Sequence, residues 1–167
     1  MTNIRRYFRE GQVYFLTHVT DERRPVLINY IDIFWRAYSA VIDSSGAESI
    51  AWVVLPEHFH LIIDPHEADL SSLMKRFKLK FSGLYRSRLG LFRGRVWQHR
   101  FWDHVIRDQE DFNRHIDYVH FNPVKHGLVR DPFEYEHSSL PKFFREGYYS
   151  RDWGCHKMIG FEGDFGE

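Results

Sequence analysis

Two histidines separated by one apolar residue, His58 and His60, are the first residues whose types and spacing could carry out chemistry. They lie in the segment PEHFHLIID, whose composition is typical of a β-strand. Since side chains alternate between the two faces of a strand, both imidazoles would lie on one face and Phe59 on the other. Alternate Cα atoms are about 6.6 Å apart, which lets two imidazoles bind one divalent metal ion. A chance His-x-His pair in a chain with eleven histidines is the alternative.

A second group, Tyr118 and Asn122, lies in the later segment HIDYVHFN. On a helix, residues at this spacing lie one turn apart on one face, about 6 Å along the axis. The Asn122 amide oxygen could complete a ligand set with His58 and His60, and the Tyr118 hydroxyl would then lie beside the metal. Two imidazoles and one amide leave coordination positions for phosphate oxygens and suit Mn²⁺ or Mg²⁺.

A tyrosine beside such a metal predicts attack of the phenolic oxygen on a phosphate. The metal would bind the phosphate, draw charge from its oxygens and align the phosphorus with the phenol. A tyrosine with the usual pKa of about 10 is a poor nucleophile, so it needs the metal or a neighbouring base. His115 and His120 are candidates for that proton transfer, although either could be a surface histidine. The alternative for Tyr118 is a ring packed in the core with its hydroxyl at the rim.

The hydrophobic periodicity of the chain predicts the elements that would position these residues. Their order, β-α-β-β-α-β-α, predicts an α+β fold in which an antiparallel sheet is flanked by helices, close to the ferredoxin-like plan. Pro56 and Glu57 leave room only for a tight turn, so the strands around them should form a hairpin. The predicted strands are 11–20, 48–55, the histidine segment and one between 96 and 107. The predicted helices are 27–42, one from a cap at Asp69 or Ser71 to about Arg88, and one from a cap at Asp108 through Tyr118. This last helix should end or kink at Asn122-Pro123.

Basic residues are concentrated in one part of a chain whose formal net charge is zero. From Lys75 to Arg107 there are ten basic residues and one acidic residue, Asp103. Such a concentration is an electrostatic footprint for the phosphates of a polyanion, although a solvated helix face is the alternative. The basic residues that we predict to contact DNA are Lys75, Arg76, Lys78, Lys80, Arg93, Arg95 and Arg100.

The composition predicts one folded domain over residues 1–167 in a reducing compartment. A chain of 167 residues with 17% aromatic and 28% charged residues can bury a core and is typical of a folded protein. The single cysteine, Cys155, excludes an internal disulfide. No apolar run approaches the length of a membrane span, and the N-terminus lacks the apolar core of a signal peptide. We therefore expect a cytoplasmic protein without a membrane partner.

Three segments together resemble a known family. AWVVLPEHFHLII, GRVWQHRFWDHVIRD and HIDYVHFNPVKHGLV, in this order and spacing, resemble the REP-associated tyrosine transposases, a branch of the single-tyrosine HUH transposases. The resemblance covers roughly residues 11–141 and leaves a C-terminal tail, residues 142–167, of unknown role. It implies the HUH endonuclease fold and a Mg²⁺- or Mn²⁺-dependent activity on single-stranded DNA with palindromic repeat hairpins. Cleavage and strand transfer would proceed through a covalent 5′-phosphotyrosine.

The resemblance also implies roles for individual residues. His58 and His60 match the histidine pair that binds the metal, Tyr118 matches the nucleophile, and Asn122 matches the polar residue that assists at the metal. Glu57 departs from the family pattern, in which many relatives have asparagine, so the hydrogen bonding beside His58 is open. The site could be built within a monomer or shared between the chains of a homodimer.

Two alternatives to a DNA-nicking enzyme stay open on the sequence. One is a catalytically silent protein that binds DNA hairpins, which would need neither the histidine pair nor Tyr118. The other is an ordinary metal hydrolase in which water replaces tyrosine as the attacking group. Wherever a metal is bound, the imidazoles must be neutral, so metal affinity should fall as the pH falls through the histidine range.

Overall fold

Four antiparallel strands form the sheet at the centre of the protein. The computed structural model describes residues 12–155 and 159–167. The strands are β1 (Tyr14–Val19), β2 (Glu48–Val54), β3 (His58–Asp64) and β4 (Trp102–Val105), in the order β2-β3-β1-β4. Every neighbouring pair is antiparallel. The predicted α+β fold is confirmed, and through β4 the element order is the β-α-β-β-α-β of the ferredoxin-like plan.

The helices begin and end where their capping residues allow. The Asp69 carboxylate accepts a hydrogen bond from the Ser72 N–H at the start of α2, and Gly90 ends this helix with φ 65°. Asp108 caps α3 through the Asp111 N–H. The α-helices are α1 (Ile31–Ile42), α2 (Leu70–Leu89), α3 (Gln109–Lys125) and α4 (Leu140–Arg145), with short 3₁₀ helices at Asp21–Arg23 and Pro132–Glu134. Within the described residues, no helix combines the length and the apolarity that a membrane span requires.

The helices divide between the two faces of the sheet, and this division decides what lies beside the histidines. Phe59, Leu61 and Ile63 point from β3 into a core formed with α1 and α2. Ile62 points to the opposite face, into a second core formed with α3, α4 and C-terminal residues. Because side chains alternate along β3, His58 and His60 lie on the face that α3 covers.

Residues 137–139 cover β2, which is one edge of the sheet. The His137 carbonyl accepts a hydrogen bond from the Val54 N–H, and the Ser139 N–H donates to the Trp52 carbonyl, both at 2.9 Å. Ser139 Oγ in turn accepts a hydrogen bond from the Trp52 N–H at 2.9 Å. The segment therefore occupies outward-facing backbone groups of β2.

Three boundaries differ from the sequence prediction. The first helix begins at Ile31 rather than Leu27, and the Leu27 N–H instead donates to the Pro56 carbonyl at 2.9 Å, which ties this segment to the turn before β3. α3 continues through Pro123 to Lys125, since a proline so close to the end of a helix removes only one of its hydrogen bonds. β1 begins at Tyr14, and Gly11, the predicted start, lies outside the described residues.

Candidate active site

His58 and His60 are buried on the α3 face of β3, with ring centroids 5.0 Å apart. Glu57 Oε1 lies 3.0 Å from His58 Nδ1, so we assign the His58 Nδ1–H as the donor to this carboxylate. Thr17 Oγ1 lies 2.8 Å from His60 Nδ1 and donates its own hydrogen to the Phe165 carbonyl at 2.6 Å. The His60 Nδ1–H must therefore donate to Thr17 Oγ1. The Nδ1 contacts therefore leave each Nε2 facing the site, where it can donate to a carboxylate when it is protonated or bind a metal ion when it is not.

Helix α3 brings Tyr118 and Asn122 to the histidine pair. The rings of His60 and Tyr118 have centroids 5.3 Å apart. Two buried atoms, His58 Nε2 and Asn122 Oδ1, have no hydrogen-bond partner among the residues that the structure describes. Buried polar atoms normally have hydrogen-bond partners, so two buried atoms without one at the same place are an observation that a bound cation would explain. Imidazole nitrogens and an amide oxygen form a donor set that fits a divalent metal ion.

Glu167 places its carboxylate against the same atoms. Its Oε1 lies 2.8 Å from His60 Nε2 and 3.5 Å from His58 Nε2, and it accepts a hydrogen bond from Asn122 Nδ2 at 2.8 Å. His58, His60 and Glu167 thereby form a group that could hold a metal ion. The Glu167 side chain is only 14% exposed. Sequence reasoning missed this residue, because it lies far from the histidines in the chain and no local pattern connects them.

Lys125 and His126 complete the polar surroundings of Tyr118. Lys125 Nζ donates a hydrogen bond to the Tyr118 hydroxyl at 2.9 Å and forms an ion pair with Glu167. His126 Nε2 lies 3.2 Å from Glu167 Oε2, and the rings of His126 and His58 have centroids 4.9 Å apart. Sequence reasoning missed both residues. A signal for Lys125 was present, since it follows Tyr118 by about two turns on the same face of the helix.

Residues 161–167, which we name the C-terminal cover, lie over the Tyr118 ring. The Phe165 ring stacks on it with centroids 3.8 Å apart and an interplanar angle of 8°. The Phe161 ring contacts it edge-on at 5.3 Å. Tyr118 is consequently 1% exposed. The cover therefore shields the phenol ring from solvent, and this gives residues of the predicted C-terminal tail a defined position.

The buried groups change one another's pKa values. Burial raises the pKa of the Tyr118 phenol above its usual value, and the Glu167 carboxylate raises it further. Burial lowers the pKa of His60 to about 4. Burial also acts to lower the pKa of His58, but the Glu167 and Glu57 carboxylates outweigh it and the net pKa is raised. Burial acts to raise the pKa of Glu167, but hydrogen bonds with the surrounding histidines hold it well below its usual range.

His115 and His120, the two candidates for proton transfer, form their hydrogen bonds with groups other than the Tyr118 hydroxyl. His115 Nδ1 donates to the Asp111 carbonyl at 2.8 Å. His120 Nδ1 lies 3.0 Å from the Tyr149 hydroxyl in a buried network, and that hydroxyl donates to Asp117 at 2.9 Å. These contacts favour structural roles for both histidines.

His115 also belongs to a second group that could hold a metal ion, with His104 and Asp111. His104 Nε2 lies 2.7 Å from Asp111 Oδ2. The guanidinium groups of Arg107 and Arg114 contact the same carboxylate, at 3.4 and 2.8 Å. Because two fixed cations already neutralise the carboxylate, this group is better described as an ion-pair cluster that ties the start of α3 to β4.

The basic residues predicted to contact DNA lie in two places. Helix α2 packs on the sheet face opposite the histidine pair. The segment after α2 runs beside the histidine end of the sheet, because the Gln98 N–H donates to the Val19 carbonyl at 3.0 Å and Val19 pairs with His58. Lys75, Arg76, Lys78 and Lys80 lie on α2, and Arg93, Arg95 and Arg100 lie in the later segment.

Comparisons with known proteins show the family of the chain. The sequence profile of the family described as "Transposase IS200 like" matches residues 10–107. The chain is 34% identical over 156 residues to the REP-associated tyrosine transposase of Escherichia coli K12, covering 92% of this chain and 91% of that protein. It is 33% identical over 175 residues to a Haemophilus influenzae protein assigned to the same group, covering 98% of this chain and 99% of that protein.

Two solved structures resemble the fold. One, described as a REP-associated tyrosine transposase bound to a REP hairpin, has a TM-score of 0.75 and 32% identity and covers 96% of this chain and 100% of that chain. The other, a Deinococcus radiodurans protein assigned as a transposase, has a TM-score of 0.50 at 18% identity, over 64% of this chain and 87% of that chain, and shows the fold alone.

The fold, the histidine pair and these matches define the chain as an enzyme of the IS200-like transposase class. The matches that cover nearly the whole length of two relatives and of one solved structure identify a narrower group than the family profile does. Within that class, the chain belongs to the REP-associated tyrosine transposases.

Proposed function

We propose that this protein cleaves and joins single-stranded DNA at or near palindromic repeat hairpins, through a covalent 5′-phosphotyrosine on Tyr118. The observation that carries the proposal is the meeting of the Tyr118 phenol with His58, His60 and Asn122 on one face of the sheet, within one chain. The solved relative bound to a REP hairpin supports hairpin DNA as the partner.

In the cleavage step, the Tyr118 oxygen attacks the phosphorus of a phosphodiester. The bond between phosphorus and the 3′ oxygen breaks. The fragment on the 3′ side of the break stays on the tyrosine through its 5′ phosphate, and the other fragment ends in a free 3′-OH. The phenol gives its proton to solvent water, and the leaving 3′ oxygen takes up a proton from solvent. In the joining step, a 3′-OH attacks the phosphotyrosine and the same changes run in reverse.

Lys125 is the residue that we assign to activation of the phenol. Because burial raises the pKa of Tyr118, forming the phenolate requires a compensating positive charge close to its oxygen. The Lys125 ammonium donates a hydrogen bond to this oxygen at 2.9 Å. Its charge favours the phenolate and the negative charge that develops during attack. It acts without accepting the phenol proton itself.

A divalent metal ion, Mn²⁺ or Mg²⁺, would be held by His58, His60 and the Asn122 amide oxygen. When bound, it would withdraw charge from the phosphate oxygens and so assist the attack. The hydrogen bonds at each Nδ1 orient the imidazoles so that each Nε2 is available as a ligand. Glu167 supplies a carboxylate oxygen at the same place, either as a further ligand or as a group that leaves when DNA binds.

The C-terminal cover has to move before DNA can react. Phe165 stacks on the phenol ring and Glu167 lies against the histidine pair. A phosphate that approaches the Tyr118 oxygen needs the same space. The described arrangement is therefore a resting state of the proposed enzyme, and displacement of residues 161–167 precedes cleavage.

The burial of Tyr118 favours a second candidate function, a hairpin-binding protein without cleavage activity. Such a protein would keep the cover in place while it binds DNA. It would bind equally well with and without metal, and it would form no covalent product with any repeat sequence. The nucleophile experiment below separates the two candidates.

The experiment uses an oligonucleotide with a palindromic repeat hairpin from the host genome and a label at its 3′ end. The labelled strand should become covalently attached to the protein when Mn²⁺ or Mg²⁺ is added, and denaturing electrophoresis detects the product. Tyr118→Phe should abolish attachment and leave hairpin affinity nearly unchanged, whereas the control variant Tyr148→Phe should attach like the wild type. Attachment that persists in Tyr118→Phe would exclude this residue as the sole nucleophile.

A further inference from the structure

An aromatic side chain stands fully in solvent at the tip of the loop that follows α2. Residues 90–95, GLFRGR, form this loop, which we name the 90–95 loop. Phe92 is 102% exposed, and its neighbour Leu91 is also exposed. A phenylalanine left outside every core removes none of its apolar surface from water, so a ligand that covers the ring would gain hydrophobic free energy.

The backbone of the 90–95 loop is held at both ends. The Leu91 N–H donates to the Arg86 carbonyl, and the Arg86 guanidinium donates to the Gly94 carbonyl, both at 2.9 Å. The Arg24 guanidinium donates to the Arg95 carbonyl. Gly94 has a φ of 121°, which only glycine adopts readily. The loop therefore presents Phe92 outward on a backbone that hydrogen bonds tie to α2 and to Arg24.

The charge of the segment that carries Phe92 favours a nucleic acid over other ligands, and of its arginines Arg88 and Arg95 already form ion pairs, with Asp32 and Asp21. No acidic residue occurs between Asp69 and Asp103, and nine basic residues lie in that interval. Arg93, the next residue after Phe92, is exposed. An aromatic ring among arginines is the combination that binds nucleic acids, since the cations contact phosphates while the ring stacks on a base.

The 90–95 loop also lies near the end of the sheet that carries His58. Directly after it, the Val96 carbonyl accepts a hydrogen bond from the Asp21 N–H at 2.8 Å, beside the end of β1. The last residue of β1, Val19, pairs with His58. A DNA strand held at the histidine pair therefore needs only to pass around this end of the sheet to reach the loop.

We propose that Phe92 stacks on an unpaired base of the hairpin DNA and thereby helps the protein to distinguish a hairpin from a plain duplex. The inference rests on the proposed function for the identity of the DNA. A hairpin offers unpaired bases at its apex and beside its stem, and the face of a phenyl ring can stack on any of them. In a continuous duplex the bases already stack on one another, so the ring gains little.

The test measures equilibrium binding without metal, by fluorescence anisotropy, to a labelled repeat hairpin and to a duplex with the same stem. We expect Phe92→Ala to weaken hairpin binding by about tenfold and duplex binding by less than twofold. Phe92→Trp should retain affinity, because it keeps an aromatic face. Leu79→Ala is the matched control, since Leu79 is an exposed apolar residue on α2 (61%) and its loss should change neither affinity.

Salt dependence gives a second readout. Phe92→Ala should leave the slope of log affinity against log salt unchanged, whereas Arg93→Ala should reduce it by about one. Equal hairpin affinities of Phe92→Ala and Leu79→Ala would overturn the proposal. The proposal would also be overturned if Phe92→Ala bound the hairpin normally but bound anionic phospholipid vesicles more weakly, or self-associated less, than the wild type.

Failure of this proposal is distinguishable from failure of the proposed function. If the wild type forms the covalent product and Phe92→Ala binds the hairpin normally, only the role of Phe92 is wrong. If no covalent product forms but Phe92→Ala loses hairpin binding, the stacking contact stands and the nuclease activity is wrong.

Discussion

Gly166 passes so close to Trp102 that a Cβ atom at position 166 would collide with Trp102 Cβ. The glycine also has a φ of 75°, which side chains disfavour. A methyl group at this position therefore cannot be accommodated while the C-terminal cover lies over Tyr118. This contact gives a way to displace the cover without removing either Phe165 or Glu167.

We expect Gly166→Ala to increase the initial rate of covalent attachment to hairpin DNA by about tenfold, because it shifts the population toward the uncovered state. The rate is measured by quenching labelled reactions at short times. Gly160→Ala is the matched control, since a Cβ there meets no atom within 4 Å. Protease sensitivity of residues 159–167 should rise in Gly166→Ala alone. A rate equal to that of Gly160→Ala would show that the cover does not limit the reaction.

Lys125→Met should lower the single-turnover rate of attachment by about 100-fold at saturating DNA, because the buried phenol loses the cation that stabilises its charged form. Hairpin affinity should change little. Lys125→Arg keeps a positive charge and should retain more of the rate than Lys125→Met does. Lys142→Met, on α4, is the control for loss of one lysine. A Lys125→Met rate within twofold of the wild type would exclude the assigned role.

Glu57→Gln should weaken Mn²⁺ binding by about tenfold, because the carboxylate that accepts the His58 Nδ1–H and orients the ring is replaced by a neutral amide. Free Mn²⁺ is measured by electron paramagnetic resonance during titration of the protein. Glu22→Gln changes a neighbouring exposed carboxylate and should bind Mn²⁺ like the wild type. Equal affinities of the two variants would mean that the Glu57–His58 hydrogen bond does not support the metal ligand.

Asp117→Asn should alter the pH dependence of stability. Burial raises the pKa of Asp117 from 3.8 to about 6. Between these values the folded protein binds more protons than the unfolded chain, so the contribution of Asp117 to stability falls as the pH rises. Asparagine cannot ionise, so the variant should gain stability relative to the wild type over this window, by up to about 3 kcal/mol, and the difference should stay constant at higher pH.

Urea unfolding of both proteins at several pH values between 4 and 7 measures this difference. Asp103→Asn, which changes an exposed carboxylate, should follow the wild-type profile. A constant difference between Asp117→Asn and the wild type across the whole range would show that folding does not raise the pKa of Asp117.

Local periodicity was sufficient to predict how the histidine pair and the tyrosine helix are arranged. Alternation along β3 places His58 and His60 on one face, and the spacing of Tyr118 and Asn122 places both on one side of α3. The caps at Asp69 and Asp108 could also be predicted from the sequence, because a capping side chain bonds to backbone groups in the first turn of the helix that follows it. The prediction that residues 1–167 form one domain stays a prediction.

Contacts between distant segments could not be predicted in the same way. Thr17 meets His60 only because β1 and β3 pair in one register. Glu167 reaches the histidines only because the chain returns from the last helix to the sheet. Neither contact leaves a periodic signal in the sequence, since each depends on tertiary packing. Pro123 shows that a local signal can also mislead, because it predicted an end or a kink at Asn122-Pro123 and α3 ends only at Lys125.

The segment 137–139 has a consequence for assembly. An open sheet edge is a template on which another polypeptide can lengthen the sheet. At β2, the backbone groups of Trp52 and Val54 are already saturated by the chain's own His137 and Ser139. A second copy could pair with these groups only after residues 137–139 had been displaced, so joining of two sheets at this part of β2 is disfavoured.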